Sequence, residues 1–197
     1  MAIILDGTTG ITAPDITSAA GLDAADLTGS LPLALKGIIK SYSALNTVRS
    51  TVVGVSSGFV QVPGTTITLT PASTSSKFLI FARVYGEGGS GDGHNWSMAI
   101  FRNGTNVNGG TSGTIDCQSV IATAGSDYFN NDADSTPQDW STTTLDAPNT
   151  TSQLEYSLQL TNQGGTGTFY LNGTVSATNT ISTERGSSEL IILELNV

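Results

Sequence analysis

The 197-residue chain carries 16 acidic and 7 basic side chains, a formal net charge of −9 with only 12% charged residues, and this balance argues against nucleic acid, whose phosphates are held by clustered Lys and Arg. Lys36, Lys40 and Arg49, the nearest approach to a basic group, are too sparse to line a groove. A single cysteine, Cys117, excludes an internal disulfide framework and a thiolate zinc site, while 23 glycines and abundant Ser, Thr and Asn favour turn-rich β-structure over helix.

In chain order, "MAIILDGTTGITAPDIT" opens on an apolar run that Asp6 and Gly7 interrupt, and the first basic residue is Lys36. It lacks the basic segment, long apolar core and cleavage site of a secretory signal, and is too short to span a membrane. The expectation is a protein made in the cytoplasm, starting at Met1, with no membrane insertion. An exposed apolar strand is an aggregation liability unless covered, so Ile3, Ile4 and Leu5 are expected to dock on another protein.

Up to about residue 40 no helical or strand period is sustained. "SAAGLDAADL" permits one short helix capped by Ser18 and weakened by Gly21, and the region as a whole reads as an extended arm. "LALKGIIKSYSAL" then allows a helical turn or two, or a packed connector, acting as a hinge. From about residue 46 the period becomes two, the strand signature. "SGFVQV" and "TTITLT" are short strands joined through Pro63 and Gly64. "KFLIFARVY" has so few polar breaks that it reads as a strand buried on both faces. Asn103-Gly104 between apolar runs predicts a hairpin.

"SQLEYSLQLT" alternates, with Leu154, Tyr156, Leu158 and Leu160 on one face and a wet face opposite. "GTFYLNGT" adds a strand. "ELIILELNV" is a final strand with Ile191, Leu193, Leu195 and Val197 on one face, expected inside a sheet or an interface. At least eight strands without a long helix make the fold all-β: an antiparallel jelly-roll-like β-sandwich head over residues 46–197, preceded by an extended arm and linker over 1–45. A symmetric homo-oligomer is expected to bury the remaining apolar face.

Two loops carry polar chemistry. "YGEGGSGDGHNW" (85–96) is rich in glycine, which permits close backbone approach, and holds Asp92, His94 and Trp96. "SDYFNNDADSTPQDW" (127–140) holds Tyr128, Asp132, Asp139 and Trp140. Neither matches a calcium-loop pattern, and one histidine without clustered partners makes a weak metal site. No metal or cofactor is therefore expected. Aromatic faces pack on sugar rings while Asp and His take hydroxyls, so these seven residues are the candidate ligand-binding set. Loops joining neighbouring strands cluster at the ends of a sandwich, and the two segments are expected to meet at one end. No nucleophile-elbow, P-loop or zinc-protease motif is present, and no catalytic residue is assigned.

The opening "AIILDGTTGITAP", the Leu27–Pro32 stretch "LTGSLP", and the head elements "TLTPASTSSKFLIFARV" and "GSSELIILELNV" together resemble bacteriophage tail and neck fibre proteins. The likeness spans the arm and both ends of the head, and leaves residues 86–150 unmatched. It implies a homotrimer carried on the virion, attached through its N-terminal arm to a tail, baseplate, neck or capsid protein, with a jelly-roll head that binds host-surface carbohydrate. The alternative from a different class is a purely structural virion protein, such as a capsid cement or a neck or collar component, without receptor binding.

Overall fold

The computed structural model describes residues 37–54, 58–89, 96–107, 137–162, 166–176 and 184–195, all within the compact unit Lys36–Val197. These residues form ten strands and no helix: β1 (Ile38–Asn46), β2 (Ser50–Gly54), β3 (Val60–Leu69), β4 (Lys77–Gly88), β5 (Trp96–Arg102), β6 (Thr105–Asn106), β7 (Gln138–Asp146), β8 (Leu154–Asn162), β9 (Gly167–Leu171) and β10 (Ser188–Leu195). All pairings are antiparallel, and the strands form two sheets of a jelly-roll-like sandwich.

Strand β4 organises the larger sheet. One edge takes β7 from Phe78 opposite Asp146 to Gly86 opposite Gln138. The other edge is shared: β10 pairs along Lys77–Arg83, and β9 takes over at Gly86–Gly88. Beyond them β1 pairs with β10 and β2 with β9, so the chain runs through β1 into β2 along one outer row. The smaller sheet runs β3-β8-β5-β6.

The break between β10 and β9 would orphan backbone groups, and a buried polar cluster fills it. Asn172, held at φ 58°, donates its side-chain amide to the Asn46 and Val48 carbonyls at 2.9 and 3.0 Å and accepts from the Ser188 hydroxyl at 2.7 Å. Its backbone N–H donates to the Tyr85 carbonyl at 2.8 Å. Asparagine tolerates this left-handed conformation better than most residues.

Three expectations meet the structure directly. Asn103 and Gly104 both have positive φ, 48° and 79°, and join β5 to β6 as the hairpin predicted there. Leu154, Tyr156, Leu158 and Leu160 do fill one buried face of β8. The opposite face is drier than its sequence suggests, because Ser157 lies across from Phe101, whose ring packs on Phe59 at 5.1 Å, and Thr161 lies across from Ser97.

The hinge expected around residues 33–45 is corrected from Ile38 onward. Residues 38–46 are an edge strand, so the head begins before residue 46. The physical reason is β10, which needs a hydrogen-bonding neighbour on each side. Tyr42 and Ala44 of β1 complete the core beside Ile192 and Leu190.

The core lies between the sheets, where Phe78, Ile80 and Val84 of β4 and Leu190 and Ile192 of β10 meet Met98, Ile100, Tyr156, Leu158 and Leu160. At one end a polar clamp ties the sheets together. Tyr156 donates its hydroxyl to Asp146 at 2.6 Å, and Arg102 Nη1 donates to both carboxylate oxygens at 2.6 Å. Burial, and then the bond to Asp146, push the Tyr156 hydroxyl well above the ordinary tyrosine value of 10.0.

A pKa raised by folding means that the neutral phenol stabilises the native state below pH 10, and that this contribution is lost as pH rises above it. Urea midpoints measured from about pH 8 to about pH 11 are expected to fall steeply above about pH 10, and less steeply in Tyr156→Phe. Parallel slopes in the two proteins would refute a role for this phenol.

Candidate functional site at the loop end of the sandwich

The segments singled out in the sequence do converge at their described ends. Strand β4 finishes at Gly88 beside Phe169, β7 begins at Gln138 opposite Gly86, β5 begins at Trp96 opposite Asn162, and β2 finishes at Gly54 opposite Gly167. Residues 85–89 and 137–140 are thus neighbours in one sheet, and Trp96 packs against both Gly88 and Phe169. Asp92, His94, Tyr128 and Asp132 lie outside the described residues, as do Ile3, Ile4 and Leu5.

Trp96 and Trp140 are corrected: neither offers an aromatic face to a ligand. They are 2% and 8% exposed and flank Phe169, with ring centroids 5.4 and 5.1 Å from its own, both tilted. The reason is strand parity. Trp140 faces inward next to Val84, and Trp96 starts a strand whose next inward residues are Met98 and Ile100. The indole N–H of Trp140 donates to Gln138 at 3.0 Å. These three rings are the floor of the loop end.

Asp139, one residue from Trp140, has the opposite parity and is exposed. Both its carboxylate oxygens accept from Arg83 Nε at 2.8 Å. That hydrogen bond is the main influence raising the Arg83 guanidinium above its ordinary value. With both partners open to water the pair adds little stability, and Asp139 already has a cation beside it.

Sequence reasoning missed the residues that hold this end. Glu87, from the glycine-rich stretch, is a buried β4 residue whose carboxyl accepts the Val175 N–H at 2.6 Å. Arg49 lies over the Tyr170 ring at 5.6 Å and donates to the Thr174 and Val175 carbonyls at 2.7 and 3.2 Å. Gly86 is required by close approach: a Cβ there would sit 2.3 Å from the Tyr170 carbonyl and 2.6 Å from the Phe169 ring. Period-two counting puts Glu87 on the outer face with Phe81, Arg83 and Tyr85, so it gives no signal of the burial that the structure shows. No sequence signal marks Arg49 as a partner of a segment 125 residues away.

Among the described residues there is no group of three or more His, Cys, Asp or Glu placed to hold a metal, and no helix long and apolar enough to cross a membrane. The geometry defines a β-sandwich whose loop end is floored by the buried rings of Trp96, Trp140 and Phe169. No protein-family model matches the sequence, and comparison with curated proteins finds no significant match.

Proposed function

We propose that the chain is a homotrimeric phage virion appendage, with residues 1–37 as the attachment arm and the β-sandwich as its head. The observation that carries this reading is the patterning of β4 and β10. Both strands have apolar side chains on each face, as a sheet covered on both sides requires, while one protomer's described residues leave Phe81 and Leu145 on the outer side exposed. The fibre-like arm and head sequences supply the kind of assembly. Docking through Ile3, Ile4 and Leu5 would follow the strand-addition or groove-binding mode of short extended peptides.

Binding of host-surface carbohydrate by the head would fall to Asp92, His94, Tyr128 and Asp132 on the loop segments, without the two tryptophans. Their burial favours the second reading, a structural virion component with no receptor role. Deletion of residues 2–12 is expected to leave head folding intact and to remove the protein from virions, measured by quantitative blotting of purified particles. Normal occupancy would overturn arm attachment. Virions carrying Tyr128→Ala with Asp132→Ala separate the two readings: reduced adsorption supports receptor binding, and unchanged adsorption supports the structural role.

A further inference from the structure

The outer face of the larger sheet carries apolar side chains on β4 and β10 and on the flanking strands β7 and β1. In register, Leu145 of β7, Leu79 of β4 and Leu193 of β10 make one row across the sheet, and Phe81 with Ile191 makes part of the next. Phe81 is 39% exposed and Leu145 55%, and at the β1 edge Ile38 and Leu45 are 59% and 61% exposed. Four strands spaced about 4.8 Å apart, each about six residues long, give a face roughly 20 Å on a side. Ser41, Ser43 and Thr143 lie beside Leu193, Ile191 and Phe81 on it, and the largest apolar patches on soluble proteins, about 300–600 Å², are often functional.

Two observations select the occupant. The chain carries a net charge of −9, so copies approaching through an average surface repel one another. On this face Lys77 and Arg83 are matched by Asp139 and Glu189, with Arg83 influenced by both carboxylates, so the face is locally neutral. The chain also enters the head here: residues 1–36 lead into β1, whose Ile38 sits opposite Leu195. Copies joined through this face would bring their β1 strands, where each head begins, close together.

We infer that the outer face of the β7-β4-β10-β1 sheet is where copies of this chain meet. The inference rests on the homotrimer reading and adds the surface to it. Phe81 and Leu145 are the central contacts, and the outer face of the smaller sheet, where Thr68 is exposed, stays free.

The test is light scattering with size exclusion on the full chain, the double variant Phe81→Glu/Leu145→Glu, and the control Thr68→Lys. The expected result is a trimer for the unmodified chain and the control. The double variant should fall to a single 20.2-kDa chain with unchanged far-UV circular dichroism. Should the double variant fail to fold, Leu145→Glu alone, at the more exposed position, is expected to raise the trimer dissociation constant at least tenfold. A folded variant that remains trimeric would overturn this face while leaving the trimer intact. A monomeric unmodified chain would overturn both.

Discussion

Phe169→Ala is expected to lose about 3–5 kcal/mol of stability, the usual cost of deleting a buried phenyl ring. Phe169 is fully buried, and both of the chain's tryptophans pack on it. Removing the ring leaves a cavity between the two indoles at the point where β9 replaces β10 along β4. Typical domains have only about 5–15 kcal/mol in total, so the loop end should loosen at room temperature. Tryptophan fluorescence reads this site directly: a red-shifted emission and a lower urea midpoint are expected in the variant. An unchanged midpoint would show that the ring is not held between the indoles.

The second large effect is expected at Glu194. This side chain sits at a core position of β10, in the inward series Leu190, Ile192, Glu194, and is fully buried. Its carboxyl accepts from the Ala72 N–H at 2.6 Å, from the Ser76 hydroxyl at 2.7 Å and from the Tyr42 hydroxyl at 3.4 Å. It therefore ties β10 to the turn before β4 and to β1. Glu194→Ala strands the buried Ser76 hydroxyl, at roughly 1–3 kcal/mol, removes the acceptor of the part-buried Ala72 N–H, and opens a cavity besides. Glu194→Gln keeps one carbonyl oxygen for Ala72 and Ser76, and its amide can donate to the Tyr42 hydroxyl. Chemical denaturation should rank the proteins unmodified, Gln, then Ala, with Ala far the weakest. Equal midpoints for Ala and Gln would mean that these bonds do not hold the turn.

Strand type and the hairpin were legible in the sequence because they rest on local rules. Asn103-Gly104 specifies its turn through positive φ, and β8 alternates because one of its faces is core. The lost information is non-local. In β1 the outward residues include Leu45 and the inward ones end at Asn46, so counting apolar residues cannot find the face that pairs with β10.

Trp140 misled for a similar reason. Its inward companions on β7 are Thr142, Thr144 and Asp146, all polar, so the strand hides its core face, and the tryptophan looks like part of a polar loop. Glu194 breaks the rule in the other direction, as a carboxyl at a core position made tolerable only by donors more than 100 residues away in sequence. Two further readings are corrected: β4, expected to be buried on both faces, buries only one, and in β10 the buried face is Leu190, Ile192 and Glu194, not the Ile191, Leu193 and Leu195 face that its apolar residues suggest. The described residues of one protomer cover only one face of each strand.

The proposed assembly would cover the second face, and the mass of the full-length protein in solution tests it most directly. Light scattering at micromolar concentration is expected to give three times the 20.2-kDa chain mass as a single species, the closed symmetric state that buries the second face of the sheet. A monodisperse monomer under the same conditions would contradict it.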